Sequence, residues 1–148
     1  MKIQIGNQQK RIKIDKRKIR AKVTKLLGLL DCGNKEISIT FVDDETIQGI
    51  NQQYLSKDRP TNVISFPLQE GEFGDMNPEI LGDIVISVDT ARRDAEKGHF
   101  NFDEEILFLI IHGLLHLLGY NHENTSKGNT LRMAQKEKEL FRLLTQSD

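Results

Sequence analysis

The sequence predicts one α+β domain over residues 1–148, in which a mixed sheet of about four strands is flanked by about five helices. Three observations support this fold class. The length of 148 residues is that of one ordinary domain. Apolar residues alternate with polar ones in several short segments, as in strands, and recur every three or four residues in longer segments, as in helices. The two patterns follow one another in mixed order, which predicts an α+β domain.

The first part of the chain is expected to hold two strands and two helices. We expect Asp15 to cap the first helix, because an aspartate accepts hydrogen bonds from the free N–H groups of a first turn. Gly33 is expected to stop that helix. The predicted elements are a strand at Lys2–Ile5, a helix from Asp15 to Leu30, a strand at Ile37–Phe41, and a short helix capped by Asp43–Asp44 that includes Ile47, Ile50 and Tyr54.

Two strands are expected next, separated by a mobile loop. The first, Asn62–Phe66, lies between Pro60 and Pro67, which favours an edge position in the sheet. Glycine and proline make Glu70–Ile80 the best candidate for the loop. The second strand, Leu81–Val88, is rich in β-branched residues and is therefore expected to be buried on both faces.

Three helices complete the prediction. Asp89 is expected to cap the first of them and Gly98 to end it. The second is a long apolar helix at Phe102–Leu118. Its start resembles a capping box, formed by Asn101 and Glu104, and Gly119 is expected to end it. The third helix is predicted at Ser126–Thr145, with Met133, Leu140, Phe141 and Leu144 buried.

Composition excludes several classes of protein. With 37 % apolar and 29 % charged residues, the chain is typical of a folded globule and not of a disordered segment. The longest strongly apolar stretch, Ile106–Leu118, is shorter than the roughly 18 residues that cross a bilayer. The first residues lack the apolar core of a signal peptide, so none is expected. Cys32 has no cysteine to pair with, which favours a small buried core residue and a cytoplasmic location.

Charge is distributed unevenly along the chain. Residues 1–30 carry ten Lys/Arg and one acid, for +9, whereas residues 31–148 carry eleven Lys/Arg and 21 acids, for −10, which gives the net charge of −1. The basic segment is a candidate footprint for a polyanion such as RNA. A solvated helix face is the equally open alternative.

Three of the four histidines fall within eleven residues, at His112, His116 and His122. His112 and His116 are four residues apart on the predicted long helix, so both rings can reach one ion. A turn at Gly119 would allow His122 to complete the set. Three imidazoles with an open fourth position are typical of a catalytic zinc site, which predicts one zinc ion; nickel, copper or iron also fit imidazole ligands.

The spacing of these histidines equals that of the zinc helix in metzincin proteases, so the long helix is predicted to be zincin-like. Those proteases carry a glutamate general base directly after the first histidine, where this chain has Gly113. A zinc metalloprotease is therefore an alternative reading of the motif, without the usual base.

Three segments of the chain form a recognisable set: HGLLHLLGYNH at His112–His122, KDRPTNVISFP at Lys57–Pro67 and LGDIVIS at Leu81–Ser87. Together they resemble the YbeY family of bacterial metallo-endoribonucleases over nearly the whole domain. The resemblance implies a single-strand-specific endoribonuclease that hydrolyses RNA with a zinc-bound water held by His112, His116 and His122. It further implies a cytoplasmic role in 16S ribosomal RNA 3′-end maturation and late ribosome quality control, with the small ribosomal subunit as partner. Neither DNA nor a membrane is expected as a partner.

Two departures from the family pattern affect the candidate residues. Asn121 stands where the family usually has aspartate, and Leu55 stands where it often has an arginine important for activity. Arg59, four residues further on, is a candidate substitute, and Lys57 is a second candidate to stabilise transition-state charge. Asn62 and Ser65 could orient the water or a phosphate, or could only satisfy backbone groups of the strand. Asp83 could support the metal ligands or simply cap the edge of a strand. A non-catalytic, ribosome-associated metal-binding protein is the third hypothesis.

Overall fold

The computed structural model describes residues 3–68, 79–120 and 127–146, without the side chains of residues 127–130. Within these ranges it confirms the predicted α+β class with four strands and five helices. The elements in chain order are β1 (Ile3–Asn7), α1 (Lys16–Leu29), β2 (Glu36–Val42), α2 (Asp44–Leu55), β3 (Val63–Pro67), β4 (Ile80–Ser87), α3 (Val88–Gly98), α4 (Phe102–Leu117) and α5 (Lys127–Gln146).

The four strands form one mixed sheet in the order β1-β2-β4-β3. β1 and β2 are parallel, as are β2 and β4, whereas β3 runs antiparallel to β4. The edge position of β3 agrees with the prediction from its flanking prolines, although Pro67 itself pairs within the strand, opposite Gly82. β4 is interior, and it is buried as its apolar run predicts, except at the partly buried Ile80 and the exposed Asp83.

Helices cover the two faces of the sheet unequally. The larger core lies between one face and helices α1, α4 and α5, and its fully buried residues include Phe41, Ile84 and Leu114. α4 packs on β3 and β4 on one side and on α5 on the other. On the opposite face, α2 packs Ile47 against a smaller cluster that includes Val85. α4 is consequently enclosed on most of its circumference, which explains why its sequence is apolar almost all round.

The ends of the helices test the capping predictions. Asp15 and Asp43 accept hydrogen bonds from the N–H groups of Lys18 and Thr46, and Asn101 and Glu104 form the predicted capping box. The prediction that Asp89 caps α3 was wrong. Its cap is Ser87, whose hydroxyl accepts from the Thr90 N–H, and the strand ends there instead of at Val88. Asp89 instead accepts a hydrogen bond from the backbone N–H of Asp44 at 2.9 Å.

One of the predicted glycine stops was also misplaced. α1 ends at Leu29, before Gly33, and Asp31 has a left-handed φ of 56°. α3 ends at Gly98 as predicted, and the residue with the left-handed φ of 61° is the following His99. Aspartate and histidine are among the non-glycine residues that tolerate this conformation. Gly119 does have the expected positive φ, 94°, just after α4.

Further sequence predictions have mixed outcomes. Cys32 is buried, and burial raises the pKa of its thiol, as suits an unreactive core residue. In α5, Met133, Leu140 and Leu144 are buried as predicted, but Phe141 is only half-buried. Ile80, predicted as the loop end, begins β4, and the rest of the predicted mobile loop up to Pro78 lies outside the described residues. Over the described part of the chain, no helix has the length and apolar character needed to span a membrane.

Candidate metal centre

The solvent-accessible side of α4 is a single narrow stripe. Between Glu105 and Leu117 every residue is buried except Phe108, His112 and His116. These three positions are spaced by four residues, so they lie one above the other on one face of the helix. The enclosed helix therefore presents two histidines and one phenylalanine at the surface.

The two histidine rings meet on this stripe. Nε2 of His112 lies 3.0 Å from Nε2 of His116, and the ring centroids are 4.5 Å apart with the planes inclined at 72°. The spacing in sequence predicted that both rings would reach one point, and the structure brings them together there. Convergence of two ring nitrogens is the arrangement that a shared cation requires.

A carboxylate from another helix orients the first of these rings. Oε2 of Glu137 in α5 lies 2.8 Å from Nδ1 of His112, and Glu137 is buried. When Nδ1–H donates to the carboxylate, Nε2 keeps its lone pair and points it at the ligand position. Sequence reasoning missed Glu137. The available signal was a charged residue within the apolar repeat Met133, Glu137, Leu140, Leu144, which indicates a buried polar partner.

The donor set fits zinc. Two nitrogen ligands of a tetrahedral zinc ion at 2.0–2.1 Å lie about 3.3–3.4 Å apart, so the His112 and His116 rings need to separate by only about 0.3–0.4 Å. The third predicted ligand, His122, lies outside the described residues. Within the described ranges, no group of three His, Cys, Asp or Glu side chains is placed to hold a metal ion.

α4 ends in a compact turn three residues after the second histidine. The N–H of Gly119 donates to the carbonyl of His116, and the N–H of Tyr120 donates to the carbonyl of Leu115, both at 3.0 Å. This compact turn, with Gly119 in a positive-φ conformation, is the feature predicted to precede His122. The assignment of His122 as third ligand stays a prediction.

Gly113 lies where α4 packs closely against the sheet. A Cβ atom at this position would lie 3.0 Å from Cγ2 of Ile84 and 3.1 Å from Oγ of Ser65. Ser65 also donates a hydrogen bond from Oγ to the carbonyl of Gly113 at 3.1 Å. Position 113 therefore faces the sheet, and no space exists there for the glutamate base of a metzincin protease.

The candidate residues of the loop before β3 have partners on α2 and α3. Arg59 is exposed, and its backbone carbonyl accepts a hydrogen bond from the side chain of the buried Asn51 at 2.9 Å. Lys57 is also exposed, and its N–H donates to the Asn51 carbonyl. Asn62 donates to Asp94, which is a structural role. Arg59 and Lys57 stay candidates because their loop leads directly into β3, whose Ser65 contacts α4 beside His112.

Fold and site together define a small α+β domain in which one enclosed helix displays a carboxylate-oriented histidine pair. The chain belongs to the YbeY family, because the family model described as Endoribonuclease YbeY matches residues 4–145. The family is one of endoribonucleases, so membership makes the chain an RNA-cleaving hydrolase by class.

Individual relatives agree with this assignment over nearly the whole chain. The chain is 64 % identical over 144 residues to Endoribonuclease YbeY of Syntrophus aciditrophicus, a match that covers 97 % of this chain and 90 % of the relative. It is 46 % identical over 144 residues to Endoribonuclease YbeY of Geobacter sulfurreducens, covering 97 % and 96 %. Among solved structures it is similar to the solution structure of TM1509 from Thermotoga maritima, with a TM-score of 0.67, 27 % identity, and coverage of 96 % and 88 %.

Proposed function

We propose that this chain is a zinc-dependent, single-strand-specific endoribonuclease that acts in the 3′-end maturation of 16S ribosomal RNA and in late ribosome quality control. The observation that carries the zinc part of this proposal is the convergence of Nε2 of His112 and Nε2 of His116, with Glu137 on the opposite nitrogen of His112. Three imidazoles around one ion, with a position left for water, are the ligand set of many hydrolytic zinc sites.

His112, His116 and His122 are the residues proposed to hold the ion. A bound zinc ion supplies Lewis-acid polarisation of a phosphoryl oxygen and activates water at neutral pH. The protein's own contribution is to fix the ligands. Glu137 holds one tautomer and one orientation of the His112 ring, and the hydrogen bond from Ser65 to Gly113 anchors the helix to the sheet beside that ring.

Two regions supply positive charge for an RNA substrate. The loop with Lys57 and Arg59 lies before β3 and is proposed to stabilise the negative charge that develops on the phosphate during cleavage. α1 and the segment before it carry exposed cations that are proposed to contact backbone phosphates away from the histidines. These exposed cations are Lys10, Arg11, Lys13, Lys16, Arg17, Lys18 and Lys25. RNA affinity is accordingly expected to fall steeply with salt.

The ribosomal role and the cytoplasmic location rest on the resemblance of three sequence segments to the family. A cytoplasmic location is supported by the buried Cys32, the single cysteine of the chain, which leaves no internal disulfide to form. The small ribosomal subunit is the proposed partner, since it contains the 16S RNA.

Two alternatives make different predictions. A metalloprotease would need a base at position 113, where the packing against Ile84 and Ser65 leaves no room. A non-catalytic metal protein would lose stability without losing any hydrolytic activity when a histidine is replaced.

Cleavage of a labelled single-stranded RNA and of the same RNA in a duplex tests the proposal directly. Wild-type protein is expected to cut the single strand, to stop after chelation, and to recover when zinc is added back. His116→Ala is expected to remain folded and inactive, whereas Arg92→Ala, an exposed cation on α3, serves as the control. Cleavage that persists with a chelator would overturn the zinc-dependent mechanism.

A further inference from the structure

Three phenylalanines form a continuous aromatic cluster beside the histidine pair. The rings of Phe100 and Phe141 have centroids 5.9 Å apart at an angle of 64°, and those of Phe108 and Phe141 lie 6.2 Å apart at 73°. Both are edge-to-face contacts, a favourable geometry for aromatic pairs. We call Phe100, Phe108 and Phe141 the aromatic cluster.

The cluster is continuous with the candidate metal centre. Phe108 precedes His112 by one turn on the accessible stripe of α4, and Phe141 follows Glu137 by one turn on α5. The contacts His112–Glu137 and Phe108–Phe141 are therefore consecutive steps along the same helix–helix boundary. One helical turn is about 5.4 Å long. A single nucleotide can therefore place its phosphate at the histidines and its base at the ring of Phe108.

Phe100 presents a ring to solvent in a fixed position. It is 46 % exposed, and its backbone N–H donates to the carbonyl of Ala95. The left-handed turn at His99 directs the chain so that the ring packs over Gly98, where an added Cβ would come within 3.3 Å of Cδ2 of Phe100. A surface ring that is held on two sides and open on another is suited to stacking with little loss of side-chain freedom.

Packing against the core accounts in part for an apolar residue at positions 108 and 141, but it does not account for the exposed Phe100. Among the described residues the exposed large hydrophobic side chains are Leu29, Tyr54, Leu55, Phe100 and Leu131. Of these, Phe100 is the one whose ring contacts lead through Phe141 to the histidine-bearing stripe of α4. An exposed aromatic ring that connects through other rings to a candidate reaction centre is suited to stacking with a nucleobase.

Basic residues of α1 adjoin the far end of the cluster. Leu144, three residues after Phe141, accepts a hydrogen bond at its carbonyl from Nζ of Lys22. Asp103, three residues after Phe100, is paired with Lys18 of α1 at 3.9 Å. Along α4 and α5 the surface thus passes from histidines to aromatic rings to cations, the sequence of contacts that a single RNA strand would use.

We propose that the aromatic cluster is a subsite for an unpaired nucleobase of the RNA strand whose scissile phosphate lies at the histidine pair, with the strand continuing towards α1. The proposal rests on the proposed function, since it assumes RNA cleavage at the histidines. Bases in a duplex are already stacked on one another, so this subsite contributes to the preference for single strands.

Binding of single-stranded RNA, measured without cleavage, tests the subsite separately from the enzyme's activity. The probe is a twelve-nucleotide RNA that contains 2-aminopurine, in the presence of a chelator, with the matched duplex as a second ligand. Removal of a stacking ring in Phe100→Leu is expected to weaken single-strand binding about 5- to 50-fold and to abolish the quenching of 2-aminopurine. Phe100→Trp is expected to bind at least as tightly as the wild type.

Two further results decide between stacking and other accounts. Leu29→Ala, an exposed apolar residue on α1, is the control and should leave binding and quenching unchanged. Duplex binding should be the same for all variants. Single-strand affinity of Phe100→Leu within twofold of wild type, with quenching retained, would overturn the subsite. A shift in binding without any ribonuclease activity in the wild type would support the subsite and contradict the proposed function.

Discussion

Oε2 of Glu137 lies 2.8 Å from Nδ1 of His112, which joins α5 to the histidine stripe of α4. The carboxylate selects the ring nitrogen that faces away from it for binding a cation. Its position within the apolar face of α5 makes the contact rigid, because the neighbouring residues Met133 and Leu140 are buried in the core. The candidate metal centre is thus built by two helices, although its predicted ligands all come from α4 and the chain after it.

Replacement of Glu137 is expected to weaken zinc binding. Glu137→Ala should lower zinc affinity about 10- to 100-fold, because the His112 ring loses its orienting partner. Glu137→Gln keeps an acceptor for the Nδ1 proton and should lose less. Competition with a chromophoric chelator measures both values, and thermal unfolding checks the fold. Equal zinc affinity for the wild type and Glu137→Ala would show that Glu137 does not orient His112 for zinc binding.

A glutamate at position 113 is expected to damage the fold and to create no protease. Gly113→Glu forces side-chain atoms against Ile84 and Ser65 and buries a carboxylate, which should cost more than about 3 kcal/mol of unfolding free energy. The matched control is Gly49→Glu, on the exposed side of α2 with no atom within 4 Å of an added Cβ, which should gain about 0.5–1 kcal/mol from helix propensity. Urea denaturation compares the two. Similar stability for both variants would contradict the packing described for α4.

Asp44 is expected to stabilise the fold in a pH-dependent way. Burial raises the pKa of Asp44, but hydrogen bonds from Thr90, Ser87 and Arg93 outweigh it and leave the pKa below its ordinary value. The folded state then binds fewer protons than the unfolded state, so this stabilisation is present at neutral pH and is lost as pH falls through the folded-state pKa.

Asp44→Asn should therefore lower the unfolding free energy by about 1–2 kcal/mol at pH 7, and the difference from wild type should shrink below the ordinary aspartate pKa of about 3.9. Urea denaturation from pH 7 to pH 3 measures this. Asp103→Asn, on an exposed side chain, is the control and should change stability by less than about 0.5 kcal/mol. A difference in unfolding free energy between wild type and Asp44→Asn that grows as pH falls would contradict a lowered pKa of Asp44 in the folded state.

Arg59 is expected to act on the rate of cleavage. Arg59→Ala should lower kcat for single-stranded RNA about ten- to hundredfold, less than the loss of a buried charge-stabilising donor, because the side chain is exposed. Arg59→Lys should recover part of the rate. Steady-state kinetics on RNA separate kcat from KM, with Arg92→Ala as a control for general loss of charge. An unchanged kcat for Arg59→Ala would show that Arg59 is a solvated loop residue with no role in cleavage.

Sequence predicted those parts of the molecule that depend on local spacing. The histidines at 112 and 116 share a helix face because they are four residues apart, and Gly119 turns the chain because few other residues accept a φ of 94°. Glu137 was missed because its partner His112 is 25 residues away, and only the packing of α5 on α4 brings them together. The cap of α3 was predicted two residues too late, at Asp89 instead of Ser87. Both residue types are good caps, and the tertiary contact of Asp89 with α2 decided between them.

Zinc content of the purified protein tests the central claim most directly. We expect elemental mass spectrometry to find about one zinc ion per chain in the wild type. Almost none is expected when His112 and His116 are both replaced by alanine. Zinc retained at the same level in the double variant, or a wild type that binds no zinc even when titrated with it, would contradict the claim that these two rings form the metal centre.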